Sequence, residues 1–195
     1  MAKKVYIIHG WEGSPNEPMH QWLKATLEKK GFEVIAPEMP NPSIPKIDVW
    51  VKKINSIVKN PDKDTYFIGH SIGCQTILRY LETLDKNIKL GGIVFIAPWL
   101  HLNGIEDEGE ESIKIASPWL ETPIDFNKVK SHLNKNKIIA IFSDNDQFVP
   151  LSDIKLFEKN LNVKTVLEHN KGHFTKDDGV DSNQTAIDEL LEIVG

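Results

Sequence analysis

The chain has 195 residues, of which 40% are hydrophobic and 26% charged, and it carries a formal net charge of −5. That length suits a single domain, residues 1–195, with a substantial core. Scattered lysines and a negative balance argue against nucleic acid as a partner, no apolar run approaches the ~20 residues needed to cross a bilayer, and the single Cys74 excludes a disulfide framework or a multi-cysteine zinc site.

Val5-Tyr6-Ile7-Ile8 follows the first lysines directly. The run is too short for the apolar centre of a signal peptide and reads as a strand, so a cytoplasmic location is expected. Further strands are expected over 33–36, 65–68, 93–97, 138–142 and 164–167. Most are continuous apolar runs, the pattern of strands covered by helices on both faces. Helices are expected between them. Residues 17–30 place Met19, Trp22, Leu23 and Leu27 on one stripe and stop before Gly31. Residues 45–59 enter at Pro45 and stop before Pro61. After residue 73, Cys74, Ile77, Leu78 and Leu81 recur at i, i+3, i+4 and i+7. Residues 152–159 and 183–194 complete the set. The β-α alternation implies an α/β fold, a parallel sheet with helices on both sides.

Residues 98–126 break this rhythm. They carry Trp99, Leu100, His101 and Trp119 among prolines and glycines, and read as an irregular excursion at the C-terminal edge of the sheet. Open α/β sheets bind ligands at that edge, so the segment is a candidate wall of a site. The alternative is a surface loop whose tryptophans pack on the body. The acidic run 106–111 reads as a solvated loop, since its spacing matches no calcium-binding loop.

Gly69-His70-Ser71-Ile72-Gly73 fits G-x-S-x-G between an expected strand and an expected helix. In that context the serine sits on a sharp turn with its hydroxyl above the sheet edge, and side chains in place of the glycines would strike the neighbouring strand and helix. Cys74 falls on the apolar stripe and reads as a small buried hydrophobe. A serine needs a base. His173 is the candidate, after the last expected strand, between Gly172 and Phe174; His169 is the competitor. A carboxylate must orient the base. Asp146 heads the loop D-Q-F-V-P after the strand at 138–142, with Asp144 as the alternative. The oxyanion donors expected are the backbone N–H groups of Ile72 and Trp11, with Gly10 permitting the turn and His9 bracing it. Trp11, Trp99, Trp119 and Phe148 are expected to supply an apolar substrate pocket beside Gly10.

Together, His9-Gly10, the 69–73 motif, the 144–150 loop and Gly172-His173 resemble the α/β-hydrolase superfamily. The short chain and Ala97-Pro98-Trp99 resemble its small YdeN-like and retinoblastoma-binding-protein-type serine hydrolases. The resemblance implies a three-layer α/β/α sandwich around a mostly parallel six-stranded sheet, without a separate cap domain. It also implies a Ser71-Asp146-His173 triad with esterase-like activity on small substrates. The expectation is acyl transfer from a small ester through an acyl-enzyme. Its rivals are a weakly catalytic binding or scaffold protein, and a thioesterase or acyltransferase using the same triad. No cofactor and no metal are expected, since H-E-x-x-H and paired His–carboxylate spacing are not found.

Overall fold

A computed structural model describes residues 3–195. Six strands form one sheet: β1 (Lys4–Ile8), β2 (Glu33–Ile35), β3 (Thr65–His70), β4 (Gly92–Ile96), β5 (Ile138–Ser143) and β6 (Lys164–Glu168). Their order is β2-β1-β3-β4-β5-β6, and every neighbouring pair is parallel. The sheet is thus wholly parallel. β3, β4 and β5 are buried along their whole length, which explains their unbroken apolar sequences. The edge strands are blunted differently: β2 has three residues, and β6 is part-exposed with a lysine at one end and a glutamate at the other.

Among the described residues seven helices cover it: α1 (Pro18–Lys29), α2 (Ile47–Ile57), α3 (Ile72–Leu81), α4 (Glu110–Glu121), α5 (Phe126–Ser131), α6 (Ser152–Leu161) and α7 (Gln184–Val194). α1 packs on α7, while α2, α3, α5 and α6 contact one another in succession. Right-handed crossovers put the first pair on one face and the second group on the other. The chain leaves β1 toward β2 and returns through β3 on the opposite side. The crevice between the ends of β1 and β3 is therefore the topological switch point where such sheets bind ligands. No helix among the described residues is long and apolar enough to cross a membrane.

Residues 98–126 differ from the expected irregular excursion. They contain α4, whose N-cap Gly109 has φ 95° and whose first turn carries Glu110 and Glu111. The acidic run is thus partly a helix start, where negative charge suits the dipole. Pro118 lies in the last turn, where it removes one i→i−4 bond and leaves the Lys114 carbonyl without its helical donor. Tertiary contacts hold the helix down. Trp119 lies edge-on to Trp50, with ring centroids 6.2 Å apart, and donates from Nε1 to the Pro45 carbonyl. Arg79, buried on α3, donates to the carbonyls of Trp119 and Thr122, each at 2.9 Å. The segment before α4 is pinned by buried Asp153, which accepts from the backbone N–H groups of Leu100 and His101. Two expected pocket residues are thereby reassigned. Trp99 is 2% exposed and Trp119 1%, so both rings belong to the core and present no surface to a ligand.

Candidate active site

Ser71 directly follows β3 and precedes α3, with φ 53° and ψ −123°. A non-glycine residue at positive φ is strained, and here the surroundings impose it. A Cβ on Gly69 would lie 2.9 Å from the Cys74 nitrogen, and one on Gly73 would lie 2.3 Å from the Ile8 carbonyl oxygen. Both approaches are backbone contacts, so the two glycines let helix and strands close around the serine. Ser71 thereby stands at the N-terminus of α3, the positive end of the helix dipole.

His173 lies in the loop after β6, and its Nε2 is 2.9 Å from Ser71 Oγ. Its Nδ1 is 2.8 Å from Asp146 Oδ2. The side chains of His173 and Asp146 are 11% and 1% exposed, so the pair is shielded from bulk water. The other oxygen of Asp146 accepts from the backbone N–H groups of Phe148 and Val149, at 2.9 and 3.1 Å. These bonds fix the carboxylate in the plane it presents to the imidazole. The competitors His169 and Asp144 pair with each other instead, at 2.6 Å on the surface. That contact holds the Asp144 carboxyl below its ordinary range.

The two loops are stitched residue by residue. The Lys171 N–H donates to Ser143 Oγ and the Gly172 N–H to Asn145 Oδ1, at 3.0 and 2.9 Å. Asn170 N–H donates to Asp144, and His173 meets Asp146. Asp178 completes the support by accepting the His173 N–H at 2.9 Å. His70 donates from Nε2 to the His173 carbonyl at 2.8 Å. Burial, and then the neighbouring His173, hold the His70 pKa well below its usual value, so the ring is neutral. Asn145, Asp178 and His70 were not singled out from the sequence. Asn145 reads as turn chemistry, Asp178 as a surface acid, and His70 occupies an unspecified position of the motif.

The loop after β1 closes the other side. A Cβ on Gly10 would stand 3.3 Å from Ser71 Cβ, so glycine there lets the backbone reach the serine. His9 braces this loop: Nδ1 donates to the Gly10 carbonyl and Nε2 accepts from the Met39 N–H. Neither the Trp11 nor the Ile72 N–H is spent on a backbone acceptor outside the regular elements. Ile72, the first residue of α3, has no partner within the helix either. The part-exposed Trp11 ring is tied back by its Nε1 to the Ser43 carbonyl at 3.0 Å. Phe148 stands edge-on to the His173 ring at 5.3 Å between centroids. Cys74 is buried, and burial pushes its thiol pKa well up, which leaves it inert.

Comparison with known proteins places this geometry in context. A family model described as serine hydrolase matches residues 5–192. The chain is similar to YdeN of Bacillus subtilis (strain 168), 29% identical over 190 residues that cover 97% of this chain and 95% of that one. It is also similar to the serine hydrolase RBBP9 of Rattus norvegicus, 26% identical over 187 residues that cover 95% and 85% of the two chains. The crystal structure of the ydeN gene product from B. subtilis superposes with a TM-score of 0.87 at 28% identity, covering 98% of each chain. Est1E from Butyrivibrio proteoclasticus shares the fold, with a TM-score of 0.68 at 17% identity over 99% of this chain and 88% of that one.

Proposed function

The chain belongs to the serine hydrolase family, and from that premise we infer that it cleaves small esters by two-step acyl transfer, with Ser71 as nucleophile, His173 as general base and Asp146 as its orienting carboxylate. The observation that carries this reading is the continuous relay from Ser71 Oγ to His173 Nε2 at 2.9 Å and from His173 Nδ1 to Asp146 at 2.8 Å. In the first step Ser71 Oγ attacks the ester carbonyl while His173 takes the hydroxyl proton. The imidazolium that forms is stabilised by the buried Asp146 carboxylate. The carbonyl oxygen, now negative, is held by the backbone N–H groups of Trp11 and Ile72 at the positive end of α3. His173 returns the proton to the departing alcohol. Water then attacks the acyl-serine with the same base, and Ser71 is regenerated.

In this reading Phe148, packed on the His173 ring, and the part-exposed Trp11 offer the apolar surfaces that a small uncharged acyl group would meet, with Gly10 giving it room at the backbone. The reading needs no cofactor, and the whole relay is carried by a single domain. Hydrolysis of a chromogenic short-chain ester tests it. Ser71→Ala is expected to lower kcat/KM by about 1,000-fold or more with unchanged folding. Turnover at the wild-type level in that variant would remove Ser71 from the mechanism.

A further inference from the structure

Behind the oxyanion loop, two buried imidazoles each hold a nitrogen that no described residue meets. His20 lies on α1 and His70 at the end of β3. His20 Nδ1 is 3.0 Å from the Ser14 carbonyl oxygen and 3.3 Å from a Glu17 carboxylate oxygen. Both neighbours are acceptors, so Nδ1 carries the proton. His70 spends its proton on the His173 carbonyl through Nε2. The remaining nitrogens, His20 Nε2 and His70 Nδ1, are therefore lone-pair acceptors, and both are buried without a hydrogen-bond partner among the described residues. The rings lie 5.7 Å apart between centroids. Neither nitrogen can satisfy the other, because neither has a proton to give. A buried orphan of this kind is met by an ordered water or by an ion.

Glu17 supplies a third donor. One ligating atom from each of Glu17, His20 and His70 lies within 4.8 Å of the other two. We propose that these three side chains bind a divalent transition-metal cation of the zinc class. Two imidazole nitrogens and one carboxylate oxygen are a donor set that suits such an ion, with a fourth position left for water. Each ring already gives its other N–H to a backbone carbonyl, the outer bond that fixes tautomer and orientation in metal-bound histidine. Tetrahedral zinc with bonds of about 2.0 Å sets its ligand atoms about 3.3 Å apart. Glu17 is half-buried, stands on the Nδ1 side of His20 and accepts the Ser14 N–H, so ligation requires its carboxylate to swing toward Nε2.

The placement defines what the cation does. A Cβ on Gly10 would lie 3.2 Å from His70 Nδ1 as well as 3.3 Å from Ser71 Cβ, and one on Gly13 would lie 2.8 Å from Glu17 Oε1. The loop that carries the Trp11 N–H thus runs between Ser71 and the cluster. The cation clamps α1 to the end of β3 behind that loop and takes no part in acyl transfer. In sequence the site is a glutamate and a histidine three apart on one helix start, plus a histidine fifty residues later, which no familiar spacing motif covers.

Chelator-stripped protein, dialysed free of chelator, is titrated with zinc sulfate by isothermal calorimetry, with thermal melts in parallel. The expected result is one zinc ion per chain and a rise in Tm of about 5 °C or more at a hundredfold excess over Kd. Ser71→Ala binds as well as the wild type, because the triad is not the site. His20→Gln and Glu17→Gln each weaken binding by about 10-fold or more. Glu17→Gln keeps an acceptor for the Ser14 N–H, so it remains informative where a core histidine variant folds poorly. Wild-type protein that takes up no stoichiometric zinc overturns the proposal, as would a crystal structure with a single water bridging the two nitrogens after zinc exposure. Binding unaffected by either substitution also overturns it, assigning the metal to a surface pair such as His169 and Asp144.

Discussion

The carbonyl oxygen of Ile8 sits where a side chain on Gly73 would begin, 2.3 Å from the position of its Cβ. This contact brings the start of α3 against the end of β1, the approach on which the proposed pairing of the Ile72 and Trp11 N–H groups depends. Gly73→Ala forces those backbones apart. The expected cost is about 1–3 kcal/mol in urea-induced unfolding. Turnover is expected to fall by about 10-fold or more as the two donors lose alignment. An alanine variant with wild-type stability and turnover would show that the approach is not required.

Asp178 is the support that sequence inspection passes over. One of its oxygens accepts the His173 N–H at 2.9 Å, the Thr175 N–H at 3.0 Å and the Thr175 hydroxyl at 2.7 Å. Asp178→Ala frees the turn that holds His173, the proposed base. Ester hydrolysis is expected to show kcat lower by about 10- to 100-fold with KM little changed. The loss of unfolding free energy should be only about 1 kcal/mol, because the carboxylate is at the surface. A loss shared equally between stability and kcat would make Asp178 a fold residue only.

What could be read from the sequence follows from where the information is local. The covered strands announce themselves as apolar runs, and G-x-S-x-G between such a run and an amphipathic stretch marks Ser71. The chain order Ser71, Asp146, His173 points to the two loops that the sheet brings together. Other features depend on contacts between distant residues. The prolines and glycines of 98–126 read as breakers, yet Trp50 and Arg79 dock α4 and take Trp119 into the core, and Gln75 holds the carbonyl of buried Trp99. The pairing of Asn145 with Gly172, and of His70 with the His173 carbonyl, spans 27 and 103 residues. No periodicity reports contacts of that range.

Three histidines tie stability to pH. His9, His20 and His70 all have their pKa lowered in the folded chain, first by burial. The unfolded chain takes up protons near pH 6.5, which the folded chain refuses until lower pH. Their contribution is therefore intact above about pH 6.5 and is lost as pH falls toward the folded values, at up to about 1.4 kcal/mol per pH unit for each histidine. Urea midpoints taken from pH 7.5 down to 5.5 should fall, and His20→Gln should flatten the slope. A midpoint independent of pH over that range would contradict the neutral assignment of these rings.

The most direct measurement is covalent labelling of Ser71 by a fluorophosphonate, followed by intact mass and peptide mapping. The account predicts one adduct per chain, on Ser71, formed at least about 100-fold more slowly in a folded His173→Gln variant. Labelling of Ser71 at an equal rate without the imidazole, or an adduct mapped to another residue, would contradict it.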